Sequence, residues 1–124
     1  MPIQFSRDEV IAKNTIGINA CNASITRLQA MKALPVSLNA DKLAAIQRAG
    51  NERLQLRTIN DNLEAGRTRV QPMSDQQAAE LNALGNRLDQ QIRTNAIINA
   101  SIDFIGSVLA DVGELRNITS SHQS

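Results

Sequence analysis

Few side chains in this sequence could carry out chemistry. Its 124 residues include one cysteine, Cys21, and one histidine, His122. A serine or cysteine nucleophile needs a general base beside it, and a single histidine so late in the sequence leaves a carboxylate or a lysine for that role. We therefore predict that the chain is not an enzyme. We interpret Cys21 as a small hydrophobic residue of the core, the usual place of a free cysteine.

The acidic residues do not have the pattern of a metal site. Such sites need clusters of His, Cys or carboxylate groups at ligand spacing, whereas Asp61, Glu64, Asp89 and Asp103 are dispersed along the sequence. The Glu-x-x-His pairs of di-iron bundles are absent. So are the glycine-rich motifs that bind phosphates and dinucleotides. We therefore expect no metal, no cofactor and no small-molecule substrate.

Composition argues against nucleic acid and membrane as partners. Lys and Arg number 13 and Asp and Glu number 12, so no strong field attracts phosphate groups. The aromatic residues are Phe5 and Phe104 alone, which leaves no stacking platform for single-stranded nucleic acid. The longest weakly charged stretch, residues 94–110, contains Asp103 and two asparagines and predicts no membrane span.

The first residues predict where the protein resides. Residues 1–9 lack the basic region followed by an apolar region that is typical of a cleavable signal peptide. We therefore expect the protein to be cytoplasmic, or to be exported by a route without such a peptide. One cysteine cannot form an internal disulfide, so cysteine usage does not indicate the redox compartment.

Two segments in the first half have the periodicity of helices. A capping box that starts at Ser6 predicts a helix over about 7–33, which Pro35 ends. A second helix over about 40–65 ends at Gly66, a favourable residue just after a helix. The apolar stripe of this second helix is irregular, which leaves open a break at Gly50.

The strongest helical signal lies in the second half. A second capping box at Ser74 opens a predicted helix over 75–117, and the tail 119–124 is predicted to be disordered. The heptad register of the predicted helix 75–117 continues through Gly85 and Gly106, so we expect this helix to be unbroken or gently bent. Eleven successive positions keep the 3–4 spacing of a heptad pattern, and they are Leu81, Leu84, Leu88, Gln91, Asn95, Ile98, Ile102, Ile105, Leu109, Val112 and Arg116.

These elements predict an all-α fold with 1–124 as a single helical domain. The expected architecture is an elongated antiparallel bundle of three long helices with coiled-coil-like heptad packing. At ~1.5 Å per residue the helices would be roughly 42, 39 and 63 Å long. The third would therefore extend beyond the other two, unless a glycine breaks it or the overhang packs on another chain.

Three polar residues occupy core-type positions of the heptads, namely Asn14, Gln91 and Asn95. A buried polar residue at such a position can set the register and the number of partners, at a cost in stability. The alternative is that these positions are partly exposed where the bundle splays. Both interpretations stay open at this point.

The second half of the long predicted helix is apolar over nearly half its circumference. This width is typical of a central helix that contacts both others. It also allows a partner interface centred on Ile97, Phe104, Val108 and Leu115. In this register Ile102 lies in the core, so Ile102→Asn should destabilise the fold more than Ile97→Asn.

The tetrapeptide Asn-Ala-Ser-Ile occurs twice, at 22–25 and at 99–102. Both copies match the N-glycosylation acceptor pattern, which we interpret as chance because both are predicted to lie inside helices. When the two copies are aligned, the apolar residues on either side of them also align, and both copies occupy the same positions of the heptad repeat. We therefore expect two helices that use the same packing solution.

Together these features favour a non-enzymatic protein–protein interaction module that acts through a helical face. Such a module could be a small helical binder, a chaperone, or a toxin-neutralising or secretion accessory protein, with a protein partner or self-association. The alternative is an exported helical filament or translocation subunit. A carboxylate-dependent metal enzyme is a third and weaker hypothesis.

Overall fold

The computed structural model describes residues 3–124, which form four α-helices. They are α1 (Arg7–Ala30), α2 (Val36–Glu64), α3 (Asp75–Arg93) and α4 (Ile102–Ser121). The all-α prediction is confirmed. The prediction of three long helices is wrong, because residues 94–101 divide the third predicted helix into α3 and α4. Met1 and Pro2, which the predicted domain 1–124 includes, lie outside the described residues.

The chain leaves α3 at Asn95, not at Gly85 or Gly106. Asn95 has a φ of 58°, a left-handed conformation that asparagine tolerates better than most residues. The Ala96 N–H donates to the Gln91 carbonyl oxygen at 2.9 Å, and the Asn95 N–H donates to the Ile92 carbonyl oxygen at 3.2 Å. This pair of hydrogen bonds is a Schellman motif, which satisfies the last carbonyl groups of a helix and ends it.

A side-chain cap starts α4. The Ser101 hydroxyl accepts a hydrogen bond from the Phe104 N–H at 3.1 Å, and Asp103 lies in the first turn, where a negative charge favours the helix dipole. Between the two helices the expected register fails, because Ile97 is buried and Ile98 is 56% exposed. The heptad spacing over residues 81–116 therefore comes from two separate helices. The length of the connection between them makes the apolar positions of α4 continue the spacing of α3.

The two Asn-Ala-Ser-Ile copies have different roles, so the prediction of one shared packing solution is wrong. In the first copy, Ser24 is buried in the C-terminal third of α1 and its hydroxyl donates to the Ala20 carbonyl oxygen at 2.7 Å. In the second copy, Ser101 is the exposed cap of α4. The second copy also contacts α1, since Arg27 Nε donates to the Ala100 carbonyl oxygen at 2.9 Å.

The helices pack so that α1 and α4 each contact all three other helices, whereas α2 and α3 do not pack against each other over the described residues. Around the bundle the order is therefore α1, α2, α4, α3, with α1 and α4 meeting across the short diagonal. This arrangement puts α2 at an outer edge. One side of α2 faces α1 and α4, and the opposite side packs against no other helix among the described residues.

Two boundaries of the first two helices differ from the prediction. α1 ends at Ala30, three residues early. α2 begins directly after Pro35, because the fixed φ of proline is compatible with a helix start, and it passes Gly50 without a break. The predicted end of α2 is confirmed: Gly66 follows it with a φ of 73°, and Arg67 N–H closes a Schellman motif.

Both ends of the described chain are held by the segment that links α2 to α3. Met73 N–H donates to the Ile3 carbonyl oxygen at 2.8 Å. On the other side of the segment, the Arg69 N–H donates to the Ser124 carbonyl oxygen at 2.9 Å, and Ser124 donates back at 3.1 Å. The prediction of a disordered tail over 119–124 is therefore wrong, since α4 continues to Ser121 and backbone pairing holds the last residues.

Close approach of α1 to its neighbours centres on Gly17. A Cβ at this position would lie 2.8 Å from Leu56 Cδ1 of α2, and 3.6 and 3.8 Å from carbons of Leu115 and Val112 of α4. All three neighbouring side chains are buried. Because glycine has no side chain, these three aliphatic side chains can pack directly against the backbone of α1, which brings α2 and α4 close to it.

Gly17→Ala is expected to lower the free energy of unfolding by about 1–3 kcal/mol, because the new methyl group overpacks the contact with Leu56. Gly106→Ala is the matched control in α4, where a Cβ meets no atom within 4 Å. It should raise the stability by roughly 0.5–1 kcal/mol through helix propensity. Urea denaturation measures both values, and effects of the same sign would contradict the close approach at Gly17.

The structure also reverses the expected order for two isoleucines. Ile97 is 1% exposed, so Ile97→Asn buries an amide in place of an aliphatic side chain and should cost about 3 kcal/mol or more. Ile102 is half-buried at the start of α4, so Ile102→Asn should cost clearly less. Thermal melts of the two variants test the order, and a larger loss for Ile102→Asn would argue for the unbroken helix instead.

Candidate functional site

Cys21 lies in the core, as predicted. Burial raises the pKa of its thiol from an ordinary value of 9.0 to about 12; the negative charge of Glu52 adds to this shift and Arg53 opposes it. The thiol therefore stays protonated in the folded protein at neutral pH. A protonated and enclosed thiol is a poor nucleophile, so Cys21 is a packing residue.

The carboxylates and the histidine are not gathered into a ligand set. Among residues 3–124 no three His, Cys, Asp or Glu side chains come together as a group that could hold a metal ion. His122 Nδ1 lies 2.8 Å from the Ile118 carbonyl oxygen, one turn earlier in α4. Glu80 of α3 and Glu114 of α4 do meet, and the hydrogen bond between them raises the pKa of Glu80. Both are exposed, on open helix surface.

The first polar register residue, Asn14, is fully buried between helices. Its Nδ2 donates to Asn60 Oδ1 of α2 at 3.0 Å, and Asn60 Nδ2 donates to the Ile11 carbonyl oxygen at 3.4 Å. Asn14 Oδ1 has no hydrogen-bond partner. The pair fixes α1 against α2 at one register, because a slip would leave further buried amide groups unsatisfied.

The other two register residues lie at the end of α3. Gln91 is half-buried, and its Oε1 is enclosed without a hydrogen-bond partner. Asn95 is exposed and outside any helix, so its prediction as a core-type position is wrong. It ends α3, which is a local backbone role and not a contact between helices.

The residues predicted to meet a partner lie mainly inside the fold. Ile97, Val108 and Leu115 are 0–1% exposed, and Phe104 is half-buried against the core. Their burial contradicts the predicted partner interface at these residues. Because the chain turns back before α4, that helix contacts α1, α2 and α3, and its wide apolar stripe is covered by its own chain.

The structure instead exposes an apolar stripe on α2, which the sequence interpretation missed. Val36, Leu43 and Leu54 are 89%, 57% and 65% exposed. At ~100° per residue they point within about 20° of one direction, away from the buried Leu56 and Leu63. We call this stripe the outer face of α2, and with the intervening positions at 3–4 spacing it comprises Val36, Ala40, Leu43, Gln47, Gly50 and Leu54.

Two stripes on one helix explain why the apolar pattern of α2 looked irregular. The inner stripe packs in the core through Ala49, Leu56 and Leu63, and the outer stripe runs along the opposite side. Leu43 and Leu54 belong to the outer face, whereas Leu56 belongs to the inner stripe. When all three are assigned to one stripe, the apolar positions shift around the helix from turn to turn. The detectable signal was the second, independent 3–4 spacing from Val36 onward.

Charged residues of α2 lie beside the outer face and not on it. On the side toward α1, Lys42 Nζ donates to the Met31 carbonyl oxygen at 3.2 Å, and Arg53 Nη1 donates to an asparagine of α1 at 2.8 Å. On the side toward α4, Glu52 pairs with Arg116 at 2.6 Å. From Val36 to Leu54 the outward positions are therefore uncharged, although solvent-facing helix surfaces are ordinarily charged.

A second apolar surface lies near the turn between α1 and α2. This turn groove has a volume of about 310 Å³ and is lined by Met31, Leu34, Leu38 and Ile102, with Arg27 and Asp103 beside them. It is close to the start of α2, but it faces the start of α4 and is separate from the outer face. Leu38 is 42% exposed there.

None of these apolar features belongs to a membrane-crossing element. A helix that crosses a bilayer needs roughly 20 consecutive, mainly apolar residues. None of α1 to α4 in the described chain meets the requirement.

The raised pKa of Cys21 predicts a specific loss of stability in alkali. Between pH 9.0 and about 12 the unfolded thiol ionises while the folded thiol keeps its proton, so the stabilisation present below pH 9.0 is lost as the pH rises. Urea denaturation from about pH 8 to about pH 11 should therefore show a smaller alkaline loss for Cys21→Ala than for the parent chain. Equal losses would contradict the burial of this thiol.

The chain was compared with protein-family models, with curated proteins and with solved structures, and no match was found in any of the three. On the surface of the described chain, the outer face of α2 exposes three large aliphatic side chains along one helix.

Proposed function

We propose that this chain is a non-enzymatic protein-interaction module that binds a protein partner through the outer face of α2. One observation carries the proposal. Over about five turns, the outer face of α2 presents three large aliphatic side chains and no charge. Aliphatic residues at 3–4 spacing on an exposed helix form the pattern by which helices dock against other helices or grooves.

The outer face is not needed for the fold. Val36, Leu43 and Leu54 are absent from the buried core, whose α2 members lie on the opposite side of the helix. Apolar area left in water contributes nothing to folding and favours association by about 25 cal/mol per Å² once a partner covers it. The inner side of α2 holds the bundle together, and the outer side is available for binding.

A protein fits this face better than a lipid surface does. Helices that lie on membranes combine an apolar side with Lys and Arg along its edges. Along α2, Lys42 and Arg53 are hydrogen-bonded to Met31 and to α1, so the exposed basic side chains near the stripe are Arg48 and Arg57, which is fewer than such a helix ordinarily carries. An uncharged stripe of aliphatic and amide side chains is suited to the side chains of another helix.

A photo-crosslinking amino acid at position 43 of the full chain tests the proposal in cells that produce the protein. The same amino acid at Asn82, an exposed position of α3, is the control. We expect a discrete adduct from position 43, identified by mass spectrometry, and none from position 82. Because a buried charge opposes docking, Leu54→Asp should remove that adduct.

A matched substitution separates binding from folding. Ala83→Asp puts the same charge on an exposed position of α3 and should leave the adduct in place. Circular dichroism should show that both aspartate variants keep the helical fold. If position 43 gives no adduct, or if Leu54→Asp and Ala83→Asp behave alike, the outer face of α2 is not the binding surface.

A further inference from the structure

A pocket of about 450 Å³ lies where the residues before α1, the end of α2 and the segment after α2 meet. We call it the arginine pocket, and its lining residues are Gln4, Phe5, Ser6, Arg7, Leu63, Gly66, Thr68, Arg69 and Val70. Its volume falls within the range of small-molecule sites. We propose that it binds a small carboxylate that carries an apolar group. This site is separate from the outer face of α2, so either proposal can fail without the other.

Hydrogen bonds hold the walls of the arginine pocket in place. Gln4 Nε2 donates to the Val70 carbonyl oxygen at 3.1 Å, which joins the start of the described chain to the segment after α2. Gly66 turns the chain at the end of α2 with a φ of 73°. The Thr68 hydroxyl donates to Gln123 Oε1 at 2.8 Å. The walls are therefore formed before a ligand binds, so little loss of chain entropy opposes binding.

The inner part of the arginine pocket is apolar. Phe5 and Leu63 line it and are 6% and 1% exposed. Val70 also lines it and is half-buried against the core. An apolar group that enters the pocket is removed from water against these three side chains, which favours binding.

The charged side chains that line the arginine pocket are both arginines. Arg69 has no ion pair or side-chain hydrogen bond among the described residues. Arg7 Nε lies 3.5 Å from an oxygen of Asp8, and both of these side chains are largely in water, where such a pair is weak. Both guanidinium groups are therefore available to a carboxylate, whose two oxygens match the paired N–H groups of arginine.

Acidic residues do not line the arginine pocket over the described chain. The nearest ones in sequence are Asp8, Glu9 and Glu64, which are exposed beside it. Glu9 is already used in the cap of α1, where it accepts a hydrogen bond from the Ser6 N–H at 3.1 Å. The pocket therefore disfavours a cation, and its charge is complementary to an anion.

These two parts define the class of ligand. The arginines are exposed and the aromatic and leucine side chains are buried, so the carboxylate would lie at the opening with the apolar group inside. A polyphosphate would leave the apolar part uncovered. Among the described lining residues there is no His, Cys, Asp or Glu to act as a general base. The ligand is therefore bound and released unchanged, in keeping with a non-enzymatic chain.

Titration of the ¹⁵N-labelled full chain with hexanoate, followed by NMR, tests the site. Amide signals of residues 4–7 and 63–70 should shift and saturate, with a dissociation constant on the order of 10⁻³ M for so small a ligand. Hexanamide lacks the charge and acetate lacks the apolar group, so each should bind at least about tenfold more weakly. Equal binding of hexanoate and hexanamide, or no saturable shift at these residues, would overturn the proposal.

A pair of arginine variants separates the arginine pocket from general attraction by positive charge. Arg69→Gln should raise the dissociation constant for hexanoate at least about tenfold. Arg57→Gln is the matched control, since Arg57 is exposed on α2 and does not line the pocket, and it should leave binding unchanged. Both side chains are exposed, so the dispersed amide spectrum of the fold should persist. If both variants weaken binding equally, the pocket is not the site.

The same chemistry is offered by a free acid and by the C-terminal residue of a polypeptide. N-acetyl-leucine, which combines a carboxylate with an apolar side chain and a peptide group, distinguishes the two sources in the same titration. Tighter binding of N-acetyl-leucine than of hexanoate would assign the arginine pocket to a polypeptide C-terminus. Tighter or equal binding of hexanoate would assign it to a free acid, and absence of binding by both would overturn the proposal.

Discussion

Burial of the wide apolar stripe of α4 is the constraint on which the rest of the structure depends. α1 has 24 residues and α4 has 20, whereas one helix over 75–117 would extend far beyond α1. A helix of that length could cover only part of its stripe with its own chain. Turning at Asn95 lets α4 lie beside α1, α2 and α3, so that every turn of its stripe is buried.

Once α4 is central, α1 and α4 pack directly against each other. The contacts that fix how the helices are aligned in the core then involve residues of α1. Gly17 lets Leu56, Val112 and Leu115 approach the α1 backbone, and Asn14 holds α2 through Asn60. A core of Leu, Ile and Val has little to specify one register, since such side chains exchange places at small cost. The buried amide pair supplies that specificity.

The same arrangement leaves α2 at the edge of the bundle, with one side packed in the core and the opposite side exposed. Its inner side packs on α1 and α4, and Lys42, Glu52 and Arg53 form hydrogen bonds or ion pairs along its flanks. The outer face remains apolar and uncharged. The proposed binding surface therefore lies on α2 because of its place in the bundle, whereas most of the apolar stripe of α4 is buried against its own chain.

The all-α class, the capped starts of α1 and α3 and the end of α2 can be predicted from the amino-acid sequence alone. The capping boxes at Ser6 and Ser74 and the turn at Gly66 involve groups only a few residues apart, so neighbouring residues are sufficient to predict them. The burial of Ile97 and the exposure of the outer face of α2 depend on the tertiary structure, and so does the choice of Asn95 over a continued helix, since the local motif there competes with an uninterrupted heptad pattern. Heptad spacing records which residues are apolar, but burial depends on what lies opposite, and that is a contact between residues far apart in the chain.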